Sequence, residues 1–337
     1  MKLLLSIFAI MTAVSAYGQD VSLRYLMTNS SYVRAAAMGQ AYTAVQDELE
    51  SNLYNPAGLI NSRTGKLHFY FNPLGAADAF LHRDALSHRP ALSSADATAA
   101  LGLLLRAVSF SPGPVQFVLQ LTEELPNNPN RKTAKPISTQ GVLDWNFHTA
   151  SVRLKFAKQI SMGATFLLFT QSTADNQQSR AWGASYGVHM LPASTFSVGI
   201  SLFNLPESVR SVMTDHYRIG HHSVNVGMSW QPVPPLRLTM DFRNVTQEDS
   251  LSSGGNLHGG LELIPVHFLA LRTGYYRNDE LGRDVLSVGL GLTDFRRYAL
   301  QRERFVLSKI LLNYALQVKR AKDDTQLVHH LTFLLRI

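Results

Sequence analysis

The sequence predicts an all-β protein: an antiparallel transmembrane β-barrel of about 14 strands, preceded by an N-terminal segment that does not join the sheet. Three observations lead there. Apolar residues recur at every second position through most of the chain. A short apolar leader precedes everything else. An Ala-dense stretch that does not alternate lies between the two. Period two places alternate residues on opposite faces of a strand.

The leader is Met1–Ala16. Lys2 gives it a positive start, and Leu3–Val14 is a mostly apolar run of 12 residues, too short to span a bilayer as a helix. Small residues follow, and cleavage after Ala16 or after Gly18 both fit a secretory signal. No later window offers the ~18 uninterrupted apolar residues of a membrane helix. The chain divides into a signal peptide (1–18), a non-alternating N-terminal segment (19–62) and a barrel (63–337). Of its 337 residues 45% are hydrophobic and only 16% charged, with a mean hydropathy of −0.02. That is too polar for a bundle of membrane helices and too poor in charge for disorder. The absence of Cys excludes disulfide scaffolds, zinc–thiolate sites, cysteine nucleophiles and lipoprotein acylation. Without Lys2 the chain has 30 basic and 24 acidic residues, a modest +6 that suits acidic lipid headgroups and names no nucleic-acid partner.

Fourteen segments carry the strand pattern: 66–71, 103–110, 115–121, 149–156, 161–169, 182–190, 196–203, 222–230, 236–243, 257–263, 267–275, 285–293, 306–318 and 327–337. In one of them Phe196, Val198, Ile200 and Leu202 alternate with Ser197, Gly199 and Ser201. In another Leu236, Leu238, Met240 and Phe242 alternate with Arg237, Thr239, Asp241 and Arg243. Turn-type stretches separate them at Gln171–Arg180, Pro232–Pro235, Gln247–Asn256 and Asn278–Arg283; the longest polar stretch is Glu123–Gln140. A soluble β-sandwich would bury the apolar faces in a shared core, whereas a barrel would turn them to lipid. Gly- and Ser-rich alternate faces favour the barrel. So do Trp182, Trp230, Tyr275 and Tyr276 near strand ends, where an interfacial girdle sits, and a last strand that places Leu327, Leu331, Phe333, Leu335 and Ile337 on one face.

The segment from Tyr32 to Leu59 is Ala-rich and ends in Asn55-Pro56-Ala57-Gly58. Pro56 disfavours helix at Asn55, so a helix should stop there. Arg34, Ala35, Met38, Gly39, Ala41, Thr43, Ala44, Val45, Asp47, Glu48, Tyr54, Asn55, Pro56, Ala57, Gly58 and Leu59 together resemble the N-terminal signature of the PorV/PorQ-like outer-membrane proteins. Those are similar in turn to the FadL-like barrels that transport long-chain fatty acids. The chain departs from the pattern at Gln40, where the family usually has a second Gly, and at Glu48, which replaces an Asp. A weaker echo follows in His258–Leu263, Leu269–Tyr275 and Val288–Leu292. The resemblance implies that residues 19–62 form a small helical hatch in the lumen of a 14-stranded barrel, with a non-enzymatic role in the outer membrane of a Gram-negative bacterium. It implies handling of protein cargo in type IX secretion or, alternatively, passage of hydrophobic small molecules. Outer-membrane lipid and lipopolysaccharide are the implied surroundings, and secretion-system proteins or a hydrophobic ligand the implied partners. No cofactor or metal is implied, and Arg34, Met38, Gly39, Asp47, Glu48, Asn55, Pro56, Ala57 and Gly58 become structural or gating residues.

The remaining candidates have simpler explanations. Neighbours on a strand face opposite ways, so neither His221-His222 nor His329-His330 can chelate one ion from a strand. Gly183-Ala-Ser185-Tyr-Gly187 has the letters of a nucleophile elbow but lies inside a strand, with no helix after it. His189 stands about 13 Å along the strand from Ser185. Arg296, Arg297, Arg302 and Arg304 form a basic loop suited to lipopolysaccharide phosphates, an acidic partner or plain solvent. Arg153, Lys155, Arg237, Asp241, Arg243 and Glu262 face the lumen, where the basic ones are expected to anchor the hatch through Asp47, Glu48 and Glu50.

Overall fold

The computed structural model describes residues 26–27, 32–47, 49–59, 67–74, 104–124, 145–172, 178–204, 222–246, 256–278, 283–292, 310–320 and 325–337. The wall consists of β2 (Leu67–Phe71), β3 (Leu105–Phe110), β4 (Val115–Glu124), β5 (Trp145–Lys155), β6 (Ile160–Ser172), β7 (Gln178–Ala193), β8 (Phe196–Asn204), β9 (His222–Val233), β10 (Leu236–Arg243), β11 (Asn256–Val266), β12 (Leu269–Asn278), β13 (Arg283–Leu292), β14 (Ile310–Arg320) and β15 (Thr325–Arg336). Each pairs antiparallel with the next in sequence, and β15 closes on β2. The closing register is Leu335 to Phe71 and Arg336 to Tyr70, extended by reciprocal hydrogen bonds between Phe69 and Ile337. All fourteen predicted strands are present. Several run further than predicted, because alternation fades at the polar rims while the backbone ladder continues; β7 reaches 16 residues. A two-residue β1 (Leu26–Met27), not anticipated from the sequence, lies parallel to β15 at His329 and His330.

Burial separates barrel from sandwich. The large exposed side chains are the apolar rows: Phe117, Phe166, Tyr186, Met228, Phe242 and Leu286 among others. The alternate rows are buried and polar, including Thr149, Ser151, Ser185, Asn225, Asp241 and Glu262. A soluble sandwich would invert this arrangement. An outward belt of hydrocarbon around a polar interior is the transmembrane barrel, and closure leaves no sheet edge to lose its hydrogen bonds in lipid. Trp182, Trp230 and Tyr275 face outward near strand ends, as a girdle requires. Tyr276 does not: it is 1% exposed and stacks on His258 inside the lumen, because its neighbour Tyr275 already takes the outward face.

The turns at 111–114, 156–159, 194–195, 234–235 and 267–268 share one rim with the C-terminus, and five of the seven opposite connections are longer. Short turns mark the periplasmic side of such barrels. Inside the lumen lies the N-terminal segment: α1 (Val33–Ala37), α2 (Ser51–Tyr54) and a 3₁₀ turn at Pro56–Gly58, all buried. The helix stops at Tyr54, and Asn55 is extended (φ −158°, ψ 103°), as Pro56 dictates. Glu48, Arg296, Arg297, Arg302, Arg304 and His221 lie outside the described residues. The strands that the arginine segment joins, β13 and β14, meet it on the short-turn rim.

Candidate functional site

The candidate site is the contact between hatch and lumen. Nine helical residues cannot satisfy an irregular buried backbone, so its carbonyls need other partners. The wall supplies them. His258 Nδ1 meets the Gly39 carbonyl at 2.8 Å, and the Arg243 guanidinium donates to that of Gln40. His189 Nε2 and Ser197 Oγ converge on the Ala44 carbonyl at 3.0 and 2.9 Å. Arg153 Nε and Ser161 Oγ donate to the Ala57 carbonyl at 3.2 and 2.8 Å.

On the β10–β12 side the hold is ionic. Arg34, at the start of α1, gives Nη2 and Nε to the two oxygens of Glu262 at 2.7 and 2.8 Å, and Nη1 to Asp47 at 2.5 Å. Arg272 and Arg237 also donate to Glu262, at 2.9 and 3.3 Å. One wall carboxylate therefore gathers three guanidinium groups. Asp241 accepts, on a single oxygen, the backbone N–H of Tyr42 and Thr43 and the Thr43 hydroxyl, at 2.7–2.9 Å. This reverses the expected polarity. Wall acids hold the hatch's arginine and amides, whereas the hatch acids serve the hatch. Asp47 takes Arg34 and the Tyr42 hydroxyl, and Glu50 accepts the N–H groups of Arg34 and Ala35 at the start of α1. Lys155 lies exposed at the rim and is no anchor.

Burial raises the Glu50 carboxyl well above its ordinary range, with nearby Asp47 adding to the rise and the two α1 N–H groups and Arg34 opposing it. Burial likewise pushes the Tyr42 and Tyr54 phenols up, so both stay neutral, and Tyr42 donates to Asp47. Burial works against the charge on Arg34, but Glu262, Tyr42 and Asp47 together hold it above its ordinary value.

On the β5–β8 side the hold is neutral apart from Arg153. Asn52 Oδ1 accepts from Ser151 and Thr165, and its Nδ2 donates to Thr149 at 2.6 Å. Asn55 Nδ2 donates to the carbonyls of Thr43 (2.8 Å) and Val188 (3.1 Å), while its Oδ1 accepts the Ala57 N–H. The glycines set how close the hatch comes. Gly39 has φ +60°, and a Cβ there would lie 2.6 Å from the Gly259 oxygen and the Tyr275 nitrogen. Across from it, a Cβ on Gly274 would strike the Met38–Gly39 backbone. Gln40 also has φ +60°, the conformation for which a second Gly is the natural residue.

Above the neutral anchors, toward the long-loop rim, the lumen wall turns apolar. Phe147, Leu167, Phe169 and Phe203 are buried in one cluster with Leu53, Tyr54, Tyr42 and Val45 of the hatch, and the Phe147 and Phe169 rings lie 5.6 Å apart.

The sequence placed Arg34, Met38, Gly39, Asp47, Asn55, Pro56, Ala57 and Gly58 in the hatch, and the fold gathers all of them in this buried contact. Arg272 and Asn52 were missed. Strand phase could have found Arg272, since it alternates with outward Leu271 and Thr273. Nothing local to the chain marks Asn52. Ser185 Oγ is buried without a hydrogen-bond partner, and His189 is engaged by the hatch, so they form no nucleophile–base pair. His329 and His330 face opposite ways, one bonded to the outward Tyr314 and the other buried beside Tyr32. Among the described residues no three His, Asp or Glu side chains converge as metal ligands.

No family model and no curated protein matches the chain. Among solved structures it is similar to the Ralstonia pickettii toluene transporter TbuX, at 11% identity and a TM-score of 0.47, over 91% of this chain and 97% of that one. The CymD monoaromatic hydrocarbon channel follows at 8% identity and 0.45, over 90% and 96%. A triple mutant of the Rhodopseudomonas blastica porin is similar at 10% and 0.37, over 69% and 78%. The chain is, by its own strand order, closure and exposed apolar belt, a 14-stranded transmembrane β-barrel with its N-terminal segment packed in the lumen.

Proposed function

We propose that this chain is a non-enzymatic outer-membrane conduit for small hydrophobic molecules, stoppered by its hatch. The observation that carries the proposal is the apolar lumen wall formed by Phe147, Leu167, Phe169 and Phe203 directly against the hatch. A water-filled pore gains nothing from such a wall, whereas a hydrocarbon solute gains a place out of water beside the stopper. Passage then requires the hatch to shift, and the ionic contacts on the β10–β12 side are what it must break.

The test is binding of a fluorescent hydrocarbon-chain probe to the purified barrel in a neutral detergent. Phe147→Ser with Phe169→Ser should weaken binding by about tenfold or more, given ~1.5–3 kcal/mol for each buried Phe. Absence of saturable binding to the unaltered barrel would reject the proposal. A second reading is a component of type IX secretion that handles protein cargo. It rests on the Arg34–Leu59 signature, whose described members are all buried in the hatch contact. Loss of cargo export in a deletion strain, without loss of hydrocarbon uptake, would favour it.

A further inference from the structure

Outside the lumen, one part of the belt's edge is built differently from the rest. At the long-loop rim Arg277 on β12, Asp284 on β13, Arg320 on β14 and Thr325 on β15 stand opposite one another in the ladder, and all four are exposed on the outward face. The next outward row toward the membrane is Tyr275, Leu286, Val318 and Leu327, where the hydrocarbon belt begins. The Tyr275 hydroxyl donates to Asp284 Oδ1 at 2.7 Å, tying the girdle to the charged row. At the other ends of the same strands the matching row is Leu269, Leu292, Leu312 and Phe333, with no charge. Among the described outward residues of these four strands, Arg277 and Arg320 therefore lie at one rim, and it is the rim opposite the short turns.

From this we infer that the outer face of β12–β15 is a binding site for a phosphorylated glycolipid of the outer leaflet. Guanidinium groups at headgroup depth fork onto phosphate oxygens. Arg277 and Arg320 rise from strands two spacings apart, roughly 9–10 Å. That separation suits a headgroup with more than one phosphate better than a single-phosphate lipid. Asp284 leaves the row with one positive charge in excess. Its carboxylate spaces the two arginines and repels any phosphate aimed between them, which selects a ligand that reaches both sides. Below the row, Tyr275, Leu286 and Val318 offer acyl chains an apolar surface along the strands.

The experiment is native mass spectrometry of the full-length barrel in a neutral detergent. The probes are bis-phosphorylated lipid A, the same lipid with its phosphates removed, and phosphatidylglycerol. The unaltered barrel should retain the first well above the other two. Arg277→Ala with Arg320→Ala should lower its retention by about tenfold or more, the scale of losing charge-assisted hydrogen bonds. Arg180→Ala, an exposed arginine on β7 at the same rim, should leave retention unchanged. Heat-modifiable migration shows that each variant is folded, and Arg277→Gln with Arg320→Gln replaces the alanine pair if that pair fails to fold. Equal retention by the double variant overturns the site. So does equal retention of the dephosphorylated lipid. Equal retention of phosphatidylglycerol overturns the glycolipid assignment.

Discussion

The two sides of the hatch are held by different physics. Toward β10–β12 the contact is a charge cluster in which Glu262 carries Arg34, Arg237 and Arg272. Toward β5–β8 it is a set of amide and hydroxyl hydrogen bonds around Asn52 and Asn55, with Arg153 on the Ala57 carbonyl as the one charged donor described there, backed by phenylalanines. A buried charge cluster is strongly coupled: remove one member and the others are stranded in a low dielectric. Neutral hydrogen bonds fail one at a time, each at modest cost. The comparison teaches where the hatch would yield: in the proposed conduit the charge cluster would act as the latch and the neutral contact as the hinge.

The largest expected effect breaks the latch. Glu262→Ala leaves Arg272 and Arg237 without their shared carboxylate and should cost hatch docking about 3–5 kcal/mol. The barrel should keep its heat-modifiable band while the 32–59 segment becomes open to protease and single-channel conductance rises. A sealed channel in this variant would remove the latch from the account. Gly39→Ala strains a left-handed backbone by about 1–2 kcal/mol and drives a methyl into the Gly259 and Tyr275 backbone. It should therefore exceed about 2 kcal/mol in the same protease assay. Asn55→Ala removes three hydrogen bonds on the neutral side. It should cost about 2 kcal/mol and loosen the hinge without raising conductance as far as the latch variant does. Equal conductance in the two would erase the distinction between the sides. Smallest, and opposite in sign, Gln40→Gly relieves a positive φ. It should protect the segment by less than about 1 kcal/mol, since glycine also frees the unfolded chain.

Strand phase made much of this legible. Leu238, Met240 and Phe242 alternate with Thr239, Asp241 and Arg243, so their sidedness was readable before any fold was known. The end of the helix at Tyr54 followed from Pro56. Tyr276 was misplaced because an aromatic near a strand end looks like a girdle residue whichever way it points; only the parity shared with Arg272 and Gly274 sends it inward. The ionic polarity was misjudged for a different reason. Counting Asp47, Glu48 and Glu50 in the hatch suggests that the hatch supplies the anions, but Glu50 is consumed at the start of the hatch's α1 and Asp47 by Arg34 and Tyr42.

By itself the sequence determined the class of wall, the number of its strands, the face each side chain takes and the segment that would not join the sheet. These are properties of local period and local backbone preference, carried by a few neighbouring residues. Only the tertiary structure decided that Arg34 meets Glu262 across 228 positions of chain and that Asn52 sits over Thr149, Ser151 and Thr165. It alone decided that the cations of β12 and β14 fall in one outward row. Such meetings depend on ladder register and on barrel closure, which bring together residues whose separation along the chain carries no signal.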